Sequence, residues 1–130
     1  MRIDEIDYRT LNTASEAEQL ASVEENGRRI EYIKNPSEAV QLAAVQYDGD
    51  CIRYIKNPTE AVQLVAVNQD GELLDAITNP SKRVVITAAL QMLKDGLDDY
   101  VIHCHTNDYQ NANPDWPEWV IIDRARNAGI

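Results

Sequence analysis

Two kinds of apolar run alternate along this chain at a fixed spacing. The first is short, Ile30-Glu31-Tyr32-Ile33, and the second is longer, from Ala39 to Val45. Both return twenty-two residues later, as Ile52-Arg53-Tyr54-Ile55 and as Ala61 to Val67. The longer run is apolar nearly all round and is broken only by Gln41 or Gln63, the pattern of a helix buried on most sides. Residues 27–48 and 49–70 share fifteen of their twenty-two aligned positions. A third copy opens at Gly71 and runs through 71–95. A fainter one occupies 1–26, with Leu11, Thr13, Ser15, Glu16, Gln19, Leu20, Ala21 and Val23 in register. Self-similarity at a short fixed period predicts a stack of small structural units, each burying its apolar face on the next.

The punctuation between the two runs is Asn35-Pro36-Ser37-Glu38, then Asn57-Pro58-Thr59-Glu60. Asn at an N-cap, Pro at the first helical position and Glu reaching back to the cap form a capping box with a proline, contributing about 1 kcal/mol. Thr13-Ala14-Ser15-Glu16 repeats the signal, and Asn79-Pro80-Ser81-Lys82 keeps the cap without the Glu. Capping accounts for these polar residues more simply than a ligand-binding ladder does. Gly27 and Gly49 are placed to end the preceding helix with positive φ. A leucine-rich repeat has a similar period but needs a strand and an L-x-L pattern. Here Pro introduces an Ala-rich run of helical composition, which predicts two short antiparallel helices per repeat.

The string I-x-Y-I-x-N-P-[ST]-E-x-V-Q-L-x-A-V, present at 30–45 and 52–67, resembles the short tandem helical repeats of the family called domain of unknown function 4116. These repeats occur in bacterial, viral and protist proteins. The resemblance covers residues 1–95, and the third copy departs from it at Ala76, Lys82 and Val85. It implies a HEAT-like array and no established activity. The expected fold is therefore all-α: a short right-handed α-solenoid in one domain, closed by an irregular C-terminal capping unit at 96–130.

The period fails after Asp95-Gly96. The next Asn-Pro, Asn113-Pro114, comes thirty-four residues after Asn79-Pro80, so about twelve residues are extra. Residues 97–104 read as a first helix, 105–112 as a polar insertion, and 115–127 as a closing helix stopped near Gly129. Insertions into repeats map to loops, often on a binding face. Tyr109, Trp116 and Trp119 then either anchor a partner, as Trp and Tyr do at interface hot spots, or the tryptophan pair covers the apolar end of the stack. Tyr32 and Tyr54 pose the same choice between a binding stripe and packing between neighbours.

Charge sharpens the functional expectation. The net charge is −10, and its distribution is uneven. Residues 1–26 carry seven acids against two bases, 27–95 nine against eight, and 96–130 six against two. Phosphate binding needs clustered Lys and Arg, so direct nucleic-acid binding is not expected. Acidic end repeats keep a solenoid in solution, and they can also meet a basic partner surface. Phe is absent, so the core must come from Ile, Leu, Val and Ala. With no apolar stretch of membrane-spanning length and no signal-like start, Cys51 and Cys104 read as reduced thiols of a cytoplasmic protein.

His103-Cys104-His105 is the one cluster resembling a metal or nucleophile site. On a helix an i, i+2 pair does not share a face. If extended, His103 and His105 would align, with Asp108 as a third ligand, short of the four that zinc prefers. No phosphate-cradling Gly loop, G-x-S-x-G or H-E-x-x-H is present. The expectation is a non-enzymatic protein-binding module without metal or cofactor. Its partner would carry a basic surface met by Asp98, Asp99, Asp108, Asp115 and Glu118. Its size and acidity suit a small phage-type inhibitor of a bacterial defence complex such as a CRISPR effector, occluding a basic channel or subunit surface. The rivals are a metal-dependent enzyme or sensor at His103, His105 and Asp108, and a structural, self-associating module.

Overall fold

The computed structural model describes the backbone of residues 8–127, and every regular element in that range is helical. Four 3₁₀ segments, Tyr8–Thr13, Gly27–Tyr32, Gly49–Tyr54 and Gly71–Ala76, alternate with α1 (Glu16–Glu25), α2 (Glu38–Tyr47), α3 (Glu60–Gln69) and α4 (Lys82–Lys94). Two further α-helices follow, α5 (Asp99–Ala112) and α6 (Glu118–Asn127). The all-α expectation holds.

The first helix of each repeat is a six-residue 3₁₀ segment and not an α-helix. Asn26, Asp48 and Asp70 cap these segments through their side chains, accepting from the N–H two residues on. Ile33, Ile55 and Ile77 end them in extended conformation. Six residues confined between such ends are too few to repay α-helix nucleation, and i→i+3 bonds close sooner.

The capping box lies two residues later than the sequence suggests. Ser37, Ser15 and Ser81 are the N-caps, and the Val40 N–H donates to Ser37 Oγ at 3.3 Å. Thr59 takes the same role toward Val62. Asn35 and Pro36 stand outside the helix, and Glu38 is its first residue. The later start frees the Pro36 carbonyl, to which Gln41 Nε2 donates at 3.1 Å; Gln63 does the same to Pro58 at 3.0 Å. Ser37→Ala is therefore expected to cost about 1 kcal/mol, and Asn35→Ala no more than about 0.5 kcal/mol. Urea titrations of both variants check this ordering.

Gly27, Gly49 and Gly71 do not end helices with positive φ; Gly96, at φ +77°, does. Close packing explains two of them. A Cβ on Gly27 would lie 2.8 Å from the Ala44 carbonyl oxygen, and one on Gly71 2.4 Å from that of Ala88. The 3₁₀ segment of each of these repeats thus rests its first residue on the backbone of the α-helix that follows.

By its contacts the chain forms two compact units, Met1–Val65 and Ala66–Ile130, dividing within α3. In the first unit α2 packs on α1 and on the segments Gly27–Tyr32 and Gly49–Tyr54. Leu11, Val23, Ile30, Val40, Val45, Ile52 and Val62 are buried there. Polar side chains stitch its successive repeats together. Asn12 Oδ1 accepts the Lys34 N–H at 2.8 Å, Gln41 Oε1 accepts the Thr59 N–H at 3.2 Å, and Thr59 Oγ1 donates to Glu38 at 2.7 Å. In the second unit α4 packs against Gly71–Ala76, α5 and α6. Leu73, Leu74, Val84, Val85, Met92, Ile102, Trp119 and Ile122 are buried there.

The expected polar insertion at 105–112 is not a loop. Residues 99–112 form one uninterrupted helix, opened by Asp98, whose carboxylate accepts the Val101 N–H at 3.0 Å. Asp98 supplies the start, and Ile102, Thr106 and Tyr109 supply an inward stripe at helical spacing. Thr106 is buried and donates its hydroxyl to the Ile102 carbonyl at 2.8 Å, so it leaves no unmet polar group. The closing helix begins at Glu118, three residues later than expected, and Gly129 lies outside the described residues.

Candidate functional site

Helix α5 docks one side on α4 and on the Gly71–Ala76 segment and presents the other to solvent. Tyr100, Cys104, Asp108 and Asn111 lie along the exposed side, with Asp99 and His103 beside them. Tyr100 is 77% exposed, the most exposed of the large apolar side chains described. Sequence reasoning missed it, because ending the helix at 104 hid the stripe that turns Ile102 and Thr106 inward and Tyr100 outward.

The other expected site residues divide by burial. Trp119 is 5% exposed, and its Nε1–H donates to the Asn113 carbonyl at 2.8 Å. It is part of the unit's core and not an accessible anchor. Trp116 is half-buried and stacks on Trp119, with ring centroids 5.7 Å apart and planes 14° from parallel. Lys82 Nζ sits 5.5 Å from the Trp116 ring centroid, a cation–π contact. The same ammonium lies 3.1 Å from Glu118 Oε1. Hydrogen bonds from the backbone N–H of Glu118 and from Lys82 hold that carboxyl below its usual range. Glu118 is therefore committed inside the unit, and Oε2 is covered without a hydrogen-bond partner. A cleft of about 370 Å³ beside it is lined by Lys82, Arg83, Ile86, Thr87 and Glu118.

Tyr109 is half-buried, and burial, then the Asp75 and Asp108 carboxylates, push its phenol pKa up. Asp108 and Asp115 are exposed, as is Asp98, whose carboxylate caps α5. In the first unit Tyr32 and Tyr54 keep 39% and 41% of their surface in solvent, so packing between neighbours does not hide them.

The histidine cluster separates on the helix. His103 is exposed, whereas His105 is half-buried and its Nδ1–H donates to Asp75 Oδ2 at 2.6 Å. Glu72 Oε1 lies 4.0 Å from its other ring nitrogen. Among the described residues no three His, Cys, Asp or Glu side chains gather as a metal site would require. His105 instead ties α5 to the 3₁₀ segment that precedes α4. Cys51 is buried, and desolvation, then the Asp48 carboxylate, push its thiol up to about 11, which leaves it inert at neutral pH. Cys104 is exposed.

Among the described residues no helix is long and apolar enough to cross a membrane. No family model, no curated protein and no solved structure matches the chain.

Proposed function

We propose that this protein is a non-enzymatic, HEAT-like repeat module that binds another protein through the exposed side of α5. The observation that carries the reading is Tyr100, a large amphipathic ring held almost wholly in water on a rigid helix. Asp98 and Asp99 precede it, and Asp108 lies two turns along the same side. Tyr is favoured at interface hot spots, and a carboxylate-rich rim suits a partner with a basic surface. The HEAT-like part of the reading draws on the recurrent 3₁₀ and α pattern and on the side-chain stitching between repeats in the first unit. In its narrower form the module is a small inhibitor that occludes a basic channel, such as one that holds nucleic acid in a phage-targeted defence complex. That form rests on acidity and size.

Affinity capture from nuclease-treated bacterial lysate tests the proposal, comparing the native protein with Tyr100→Ala/Asp108→Ala. Truncating a hot-spot Tyr costs about 2 kcal/mol or more, so the variant is expected to retain at least about tenfold less partner. Its thermal unfolding should be unchanged, because both side chains are exposed. Equal capture by native and variant protein would remove α5 from the site.

A further inference from the structure

The two nearly identical repeats build a polar cleft that neither capping nor packing explains. It encloses about 210 Å³ and is lined by Lys34, Asn35, Pro36 and Gln41 together with Ile55, Lys56 and Asn57. The lining thus comes from the same Ile-Lys-Asn-Pro corner of two successive repeats, both within the first unit. Gln41 is already committed at both ends, to Pro36 and to Thr59. The rest is not. Ser37 and Thr59 cap the helices, so Asn35 and Asn57 have no capping role. Neither takes the left-handed conformation that favours Asn at the equivalent Asn79, where φ is +53°. Among the described residues, neither amide side chain has a hydrogen-bond partner and neither lysine has a carboxylate partner.

Between the copies some exposed positions differ, Arg28 against Asp50, Glu31 against Arg53, Gln46 against Asn68 and Tyr47 against Gln69, while Tyr32/Tyr54, Glu38/Glu60 and Ala39/Ala61 are exposed and the same. Lys-Asn-Pro is also unchanged in both, with its Lys and Asn exposed. The next corner, Thr78-Asn79-Pro80, has lost the lysine. Two ammonium groups and two amide donors, with no acid among the lining residues, form a receptor for negative charge. The donors are point charges and planar amides on loops. No arginine is among the lining residues, so the bidentate fork that favours phosphate is missing from them. The volume lies below that of a typical small-molecule pocket and suits one side chain at a time.

We infer that this cleft is a subsite for carboxylate side chains of an acidic peptide segment on a partner protein. It lies in the first unit and does not depend on the α5 reading.

The test is a titration of ¹⁵N-labelled protein with a hexaglutamate peptide, following the side-chain amide signals of Asn35 and Asn57. The peptide is expected to shift both signals and to bind more weakly as salt rises. Lys34→Gln/Lys56→Gln should weaken binding by at least about tenfold, while Lys94→Gln, an exposed lysine outside the cleft, should leave it unchanged. Coincident thermal unfolding of the variants shows that the fold is intact. The inference is overturned if the amide signals stay still, or if the cleft variant and Lys94→Gln bind alike. It is equally overturned if inorganic phosphate shifts the same signals at lower concentration than the peptide, since the site would then serve free phosphate.

Discussion

Gly71→Ala is expected to destabilise the protein by about 2–3 kcal/mol, near the upper end of the cost of overpacking a filled interior. The new methyl carbon would stand 2.4 Å from the Ala88 carbonyl oxygen, 2.7 Å from Met92 Cγ and 3.2 Å from the Met92 nitrogen. Met92 is flexible enough to yield, but it is fully buried and has little space to enter. The carbonyl belongs to the middle of α4 and can move only with the helix. Gly96→Ala is the informative comparison, because its φ of +77° disfavours a side chain while nothing lies within 4 Å of the added atom. Backbone strain alone should cost about 1 kcal/mol there. Urea unfolding of the two variants at matched m-values separates the causes. A loss at Gly96 as large as that at Gly71 would mean that close approach is not what the repeated glycine serves.

The second large effect is expected at Gln41. Its amide donates to the Pro36 carbonyl and accepts the Thr59 N–H, so one side chain serves its own repeat and the next. Gln41→Leu keeps the volume and strands both backbone groups. Buried groups left unsatisfied cost about 1–3 kcal/mol each; Pro36 and Thr59 are half-buried, so water recovers part of this. A net loss of about 2 kcal/mol is expected. Amide exchange at Thr59 should accelerate along with it. Gln46→Leu, on the exposed side of the same helix, should change stability by no more than about 0.5 kcal/mol. If the two variants unfold at the same urea concentration, the glutamine contributes packing and not a junction between repeats. Val85 occupies the same register position in α4 and is fully buried, so an apolar side chain is accommodated in that repeat.

Much of this fold was legible before any coordinates. The twenty-two-residue period marks where every helix up to α4 falls, because period and apolar run are properties of consecutive residues. The caps were legible only as a neighbourhood. Asn35 and Ser37 are both competent N-caps, and the choice went to Ser37 once Gln41 could hold the freed Pro36 carbonyl. Gln41 itself read as a flaw in an apolar run, since its second partner lies eighteen residues away. The candidate site was less legible. A composition rich in Asn, Asp and Gln suggested a loop at 105–112, yet a helix needs only one inward stripe, and Ile102, Thr106 and Tyr109 provide it. Extending that helix brought Tyr100 out and, with the stacking of the tryptophans, left Trp119 inside.

By itself, then, the sequence determined the helical class, the repeat period, the acidic ends and the aliphatic make-up of the core. These follow from local propensity and from periodicity, which a chain carries whether or not it is folded. Tertiary structure alone decided which of several capable side chains does each job. Ser37 displaced Asn35 as the cap, Gly71 answers to a carbonyl in α4 and not to its own φ, and His105 pairs with Asp75 and not with His103. The first turns on contacts three and five residues away; the other two depend on partners distant in the chain, which only packing brings within hydrogen-bond or van der Waals reach.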